Sequence, residues 1–449
     1  MRFIDFKVCT QIFRLSAPLV LSTTGTMIMQ FTDALFLARF SDEAIAAVGP
    51  AGMTAYLLIS ICLGTTAYTS TLVAQYYGAK QTNRVSIAVW QGIYFGAGSG
   101  VAMAGLAPFG NLLFNWIDHA PLVKQYEIIY FKISCLGIPA VLVANAISGF
   151  FTGLGRTRTV MTVQLAGILT NIFLAYGLIF GKWGMPEWGM AGAATAMVFS
   201  QFLTTVIYIF IFLRKKFRSE FATWSGKGWN QEMIKRLIRF GLPNGFRMVM
   251  EVLAWTVFLF FMGRIGAQEL AATNIAWRIN GLAFFPIIGL AAAIQTLVGQ
   301  TQGRRETQSS VHITMQGLFI AQCWMVAAGL IFVIFPKPLY YLFEGTRTAD
   351  QSIVQMGTIL LRFVAAYSLL DAFNFVIVGA LMAAGDTRWT FYASFVLHGI
   401  FIIGLWICDY LKIGFYAEWT VATVFVMVLA LAWWYRFRTG VWKTIKVIV

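Results

Sequence analysis

The sequence predicts an all-α integral membrane protein, with twelve transmembrane helices in two pseudo-symmetric six-helix bundles. Composition is the first observation behind this. Of 449 residues, 59% are hydrophobic and only 11% charged, against about 25% charged in soluble domains. The mean hydropathy of +0.73 leaves too little polar surface to cover a soluble core. Twelve long apolar segments are the second observation, and an internal repeat is the third. Little sequence remains outside the segments for a separate catalytic or binding domain, so function is expected within the bilayer.

A helix crossing ~30 Å of hydrocarbon needs about 20 residues. Cutting the chain at Gly, Pro and charge clusters gives segments at roughly 11–38, 45–77, 86–114, 124–152, 159–181, 188–213, 233–262, 269–302, 309–335, 351–384, 389–409 and 414–437. Several exceed the minimum, which predicts tilt or projection beyond the membrane. Pro18, Pro50, Pro139, Pro243 and Pro286 fall inside segments and invite bends. The first six segments form an N-lobe (1–213) and the last six a C-lobe (233–449), joined by a basic cytoplasmic linker at 214–232.

The formal net charge of +15 does not point to nucleic acid. The longest basic run, Arg214–Arg218, directly follows an apolar stretch, where positive residues anchor topology. With a cytoplasmic N-terminus, 22 Lys and Arg fall on the cytoplasmic side and 8 on the other, while Arg247, Arg278 and Arg362 lie within spans. This bias predicts that both termini are cytoplasmic. Cys9, Cys62, Cys135, Cys323 and Cys408 have no metal-ligand spacing and read as reduced packing residues. The first segment runs on without a cleavage-site pattern and is expected to be retained.

Sliding the chain against itself reveals the repeat. At an offset of 225, Arg14 meets Arg239, Pro18 meets Pro243, Arg39 meets Arg264, and the stretch Val73–Gly78 (VAQYYG) meets Val298–Gly303 (VGQTQG). At 230, Gly149–Arg158 (GFFTGLGRTR) meets Gly379–Arg388 (GALMAAGDTR). Six helices per repeat is an even number, so both halves start from the same side, related by an axis along the membrane normal. Transporters built this way bind substrate between the halves and alternate access. The plainer alternative is a duplicated scaffold without transport.

Three carboxylates lie well inside spans: Asp33 in the first, Glu251 in the seventh and Asp371 in the tenth. An ionisable group near the bilayer centre costs ~2.5–3.5 kcal/mol on insertion scales and marks a functional site by default. A purely structural role remains open, since Arg247 stands one turn before Glu251 and can neutralise it. Tyr367 and Asn374 share a helical face with Asp371. Carboxylates, a phenol and helix-bend carbonyls make an oxygen cage suited to Na⁺ at Glu251, Asp371 and Tyr367. The same desolvated carboxylates can instead carry protons; the residues leave both open. His119 and His398 have no partner at a telling spacing and read as lone histidines.

At these residues the chain resembles the multidrug and toxic compound extrusion (MATE) transporters over nearly its whole length. The features that match are Ser16-Ala-Pro18, Phe31-Thr-Asp33, Val73–Gly78, Gly153–Arg158 and Ala384–Arg388. Gly241-Leu-Pro243 followed by Glu251, and Tyr367 followed by Asp371, resemble the NorM-like branch. The resemblance implies the MATE fold of the MOP superfamily. It also implies that Glu251, Asp371 and Tyr367 bind the coupling cation, and that Asp33 serves coupling or substrate binding. Asn171 stands where the related DinF branch places a proton-binding aspartate, which weakens that branch's mechanism here. Arg247 and Arg278 depart from the pattern and make a purely cationic substrate range less secure.

The leading expectation is a secondary active multidrug exporter, with Na⁺ or H⁺ antiport driving efflux of amphipathic, often cationic organic compounds through a central cleft. Gln30, Asn171, Asn274, Phe284, Asn374, Arg247 and Arg278 are the residues expected along the substrate path. Cation–π contacts of ~0.5–2 kcal/mol suit such cations. The alternative is a flippase for lipids or lipid-linked saccharides, which a groove lined with several arginines would favour. A membrane enzyme needs clustered His, Asp or Glu, and none is evident. The expected partners are small organic cations or drugs and membrane lipids, without nucleic acid. No cofactor beyond the coupling ion is expected, and the protein is read as a monomer in a bacterial inner membrane.

Overall fold

The structure, a computed structural model, describes residues 5–116, 119–344 and 351–448. Among these residues, twelve helices are long and apolar enough to cross a membrane, and no strand occurs. They are α1 (Phe6–Phe40), α2 (Asp42–Gly78), α3 (Thr82–Asn115), α4 (Pro121–Gly153), α5 (Thr157–Phe180), α6 (Gly189–Phe212), α7 (Gln231–Ile265), α8 (Ala267–Gly303), α9 (Thr307–Ile334), α10 (Gln351–Ala384), α11 (Thr387–Tyr410) and α12 (Phe415–Thr439). They match the expected segments one for one. The five prolines lie inside α1, α2, α4, α7 and α8. Membrane helices tolerate them because neighbours take up the freed backbone groups.

Two compact units emerge. One is Leu21–Phe246, and the other joins the residues up to Val20 with Arg247–Val447. The division thus falls inside α1 and α7, at different residues from the expected lobes 1–213 and 233–449. The reason is local. The start of α1 is fastened to α9, where the Asp5 amide donates to Gln316 Oε1 (3.2 Å) and Cys9 Sγ donates to the same oxygen (3.3 Å). The start of α7 is fastened to α3, where the Asn230 amide donates to Gln91 Oε1 (3.2 Å).

In the unit Leu21–Phe246, α4 is central and packs against α2, α3 and α6. Gly96 and Gly100 of α3 lie directly on the backbone of Leu142 and Pro139, a close approach that a side chain would block. In the other unit α10 takes the same central place, against α8, α9 and α12. A residue on the inner face of α10 is therefore shielded on several sides.

The repeat recurs as matched local geometry. Asp5 and Asn230 stand 225 residues apart. Each caps its helix by accepting from a backbone N–H three residues on, Val8 (3.3 Å) and Met233 (2.8 Å). Each also donates its own amide to the glutamine at the equivalent place. Lys80 and Arg305, again 225 apart, both adopt left-handed backbone (φ 59° and 62°). Gly155 and Gly385, 230 apart, turn the chain after α4 and α10 with φ of 75° and 94°. At the next residue the polarity reverses. Arg156 forms a two-pronged pair with Glu220 (2.9 and 3.2 Å), whereas Asp386 forms one with Arg436 (2.7 and 3.2 Å).

Residues 214–232, expected as a linker, are folded. A short helix, Lys215–Phe221, buries Phe217 and Phe221 against Phe150, whose ring centroid lies 5.7 and 5.4 Å away. Trp90 Nε1 donates to the Thr223 carbonyl (2.7 Å), Gln91 Nε2 donates to that of Gly228 (3.0 Å), and the Tyr94 hydroxyl donates to that of Lys227.

Candidate functional site

One polar cluster forms in the unit containing Arg247–Val447, on α7, α8, α10 and α11. Asp371 and Tyr367 are buried on α10, one turn apart. Asn374 Nδ2 donates to Asp371 Oδ1 (3.1 Å) and to the Val426 carbonyl of α12 (3.3 Å). Asn280 Nδ2 of α8 donates to the Tyr367 hydroxyl (3.2 Å). On α7, Arg247 Nη1 pairs with Glu251 Oε2 at 3.0 Å, while Arg247 Nε is buried without a partner. Glu251 lies within electrostatic reach of Asp371, and Asp371 of Tyr367. The three residues expected to bind the coupling ion are therefore brought together, with Arg247 and Asn374 beside them.

His398 corrects the lone-histidine reading. It is buried on α11 within reach of both Glu251 and Arg247. Its Nδ1 lies 2.7 Å from the Ser394 carbonyl. A carbonyl only accepts, so Nδ1 carries the hydrogen and Nε2 is where the ring gains or loses a proton. His119 is corrected as well: its Nδ1 lies 2.9 Å from Glu127 Oε1, and Glu127 is fully buried. Sequence reasoning also missed Asn280. His398 and Asn280 reach the cluster from other helices and His119 lies in an irregular segment, so none of the three leaves a periodic signal. The buried carboxylates Glu127, Asp386 and Glu418 lie near helix ends, outside the mid-span search.

Asp33 falls in the other unit. There Gly25 of α1 faces Ile168 of α5, and Phe36 stacks edge-on to Tyr176 at 5.5 Å. Asp33 and Asn171 thus lie on adjoining stretches of α1 and α5. Asp33 Oδ1 and both amide atoms of Asn171 are buried without a partner. Such polar atoms are costly unless something completes them, so each of the two residues carries unmet hydrogen-bonding capacity in this unit. Gln30 is exposed on α1. In the unit with Arg247–Val447, Asn274 and Arg278 are exposed on α8, and Phe284 packs edge-on to Phe375 at 4.7 Å.

A hard cation takes oxygen ligands, and the α7/α10 cluster offers them. Asn374 Oδ1 is buried without a partner, since the amide nitrogen is turned to Asp371 and Val426. That orphaned acceptor fits an ion held by Glu251, Asp371, Tyr367 and Asn374. A proton on Asp371 fits equally. Among the described residues, no three His, Cys, Asp or Glu cluster as a metal site.

Comparison with known proteins gives the family. A family model described as MatE matches residues 18–177 and again 243–407, stretches whose starts and ends reproduce the 225 and 230 offsets of the repeat. The chain belongs to the MatE family. This is a family of transporters rather than enzymes, and the chain is a multi-pass membrane protein. MatE-family relatives include the probable multidrug resistance protein NorM of Thermotoga maritima, 25% identical over 85% of this chain and 81% of that protein. Its counterpart in Pseudomonas aeruginosa is 29% identical over 85% and 78%. Among solved structures, an outward-facing multidrug resistance MATE family transporter of the MOP superfamily matches with a TM-score of 0.88. It is 21% identical, covering 98% of this chain and 97% of that one. The twelve-helix fold is thus the MATE fold.

Proposed function

We propose that this chain is a secondary active multidrug exporter, in which influx of Na⁺ or H⁺ drives efflux of amphipathic, often cationic organic compounds by alternating access. The reading places it in a bacterial inner membrane with both termini cytoplasmic. Family membership supports efflux, as do the names of its relatives. The observation that carries coupling is the orphaned Asn374 Oδ1 beside Asp371, in a cluster that also holds Tyr367 and the Arg247–Glu251 pair. Such a site can bind a cation in one state and release it in another, and that difference in affinity is what couples the two flows. The flippase alternative has less support, because Arg247 is already engaged by Glu251.

Efflux of a fluorescent organic cation from proteoliposomes, driven in turn by a Na⁺ and a H⁺ gradient, tests the reading. Glu251→Gln and Asp371→Asn should abolish gradient-driven efflux while the protein stays folded. Full transport by both variants removes the α7/α10 cluster from coupling.

A further inference from the structure

We propose that the face formed by the end of α6 and the segment 214–229 is a binding site for an anionic phospholipid of the cytoplasmic leaflet. Its acyl chain would lie along α6 and its phosphate on Arg214 and the cations that follow.

The apolar part is a groove of about 590 Å³ along α6, lined by Val206, Ile209, Phe210, Leu213 and Arg214. The apolar members follow helical spacing, so they form one stripe ending in a guanidinium. Val206, Ile209 and Phe210 are exposed, as befits an acyl-chain contact. Arg214 lies over the Phe210 ring at 5.3 Å. Its stem therefore rests on the apolar stripe with its charged head at the helix end, where a headgroup sits.

The polar part is a basic plate. In the helix Lys215–Phe221, Phe217 and Phe221 point inward while Lys215, Lys216 and Arg218 are exposed. Arg218 and Lys227 flank the half-exposed Trp224 ring at 5.2 and 4.5 Å. Trp229 is exposed as well, and tryptophan favours the headgroup level. The acid of this plate is Glu220, which Arg156 already neutralises, so its charge is net positive. The plate is also held in place by Trp90, Gln91 and Tyr94, and Gly226 packs against Ser86 too closely for a side chain. An anion meets charges already ordered, without the entropy of arranging a loose loop.

Charge complementarity selects an anionic lipid over a zwitterionic one. Each Lys or Arg near an anionic surface contributes ~1 kcal/mol, about fivefold in affinity. The test uses the full chain, purified in detergent. Native mass spectrometry and thermal shift would compare phosphatidylglycerol with phosphatidylcholine of the same acyl chains. A preference for phosphatidylglycerol of tenfold or more is expected, declining as NaCl is raised. Replacing Arg214, Lys215, Lys216 and Arg218 with Gln should abolish the preference. Replacing Lys7, Arg14, Lys443 and Lys446 with Gln removes the same charge elsewhere and should preserve it. Equal loss in both sets would show a diffuse charge effect and overturn the site. So would a wild-type protein that binds both lipids alike, or inorganic phosphate that stabilises the protein and displaces the lipid. Should the first set fail to fold, salt dependence and lipid preference of the wild type still decide the matter.

Discussion

The guanidinium of Arg247 sits where a coupling cation would compete for Glu251. With side chains 21% and 36% exposed, neither partner is fully enclosed by protein. Losing the pair should therefore weaken the fold by less than the ~3–5 kcal/mol of a fully buried pair. Arg247→Met is expected to stay folded, bind the coupling cation more tightly and export more slowly, because release becomes harder. Melting temperature with radiolabelled Na⁺ or proton binding checks this. A large loss of melting temperature at unchanged affinity would make the arginine structural. Asn280→Ala removes the donor that orients Tyr367, a bond of about 1 kcal/mol. It should raise the half-saturating coupling-ion concentration about fivefold with little change in maximal rate; an unchanged value removes Tyr367 from the site. Asp5 titrates outside the spans. The backbone N–H of Val8 holds its carboxyl below the usual range, helped by His312 and Lys7. A depressed pKa means stability that is present at neutral pH and lost as pH falls through the folded-state value. Asp5→Asn should therefore melt lower than wild type at pH 7, and the gap should close below about pH 4. A gap constant with pH contradicts this.

At the level of elements, the contrast between Lys80 and Arg305 on one side and Gly155 and Gly385 on the other can be measured. A left-handed backbone costs a side-chain-bearing residue ~1–2 kcal/mol. Lys80→Gly and Arg305→Gly should lose little stability or gain up to ~1 kcal/mol, while Gly385→Ala should lose about as much. Urea or thermal unfolding of the four proteins in one detergent decides it. Opposite signs at Lys80 and Arg305 would show that the two turns are not equivalent. These elements also show what the sequence discloses. The twelve helical segments and their internal prolines were legible, because periodicity and punctuation are local properties. On α10, Tyr367, Asp371 and Asn374 were legible for the same reason, at spacings of four and three. Asn280 and His398 were not, since they reach the cluster from α8 and α11 and only packing sets their distance. The folded plate at 214–229 was hidden likewise, because its ties to Trp90, Gln91 and Tyr94 span more than 130 residues.

For the whole molecule, the repeat found by sliding the sequence reappears in paired caps and turns and in the two stretches of the family match. The expected lobe boundaries followed the basic run after α6. The compact units instead divide within α1 and α7, which a hydropathy pattern cannot reveal inside a continuous helix. Cys9 and Gln316 offer a direct check on this. Gln316→Cys should form a disulfide with native Cys9 under mild oxidation. A chain then cleaved by a protease site inserted near Gly228 should run as one species until reduced. Two separate fragments without reductant would place the start of α1 elsewhere.

The reversed polarity at Arg156 and Asp386 bears on how a duplicated chain avoids confusing its own copies. Two turns related by the internal repeat ask for opposite partners: an acid at Glu220, a base at Arg436. A turn that strayed to its sibling's socket, in its own chain or in a neighbour emerging from another ribosome, would set Arg156 against Arg436 or Asp386 against Glu220. Like charges at such range repel instead of closing a two-pronged pair. The inverted charge thus matches each turn to the partner in its own unit, Glu220 for Arg156 and Arg436 for Asp386.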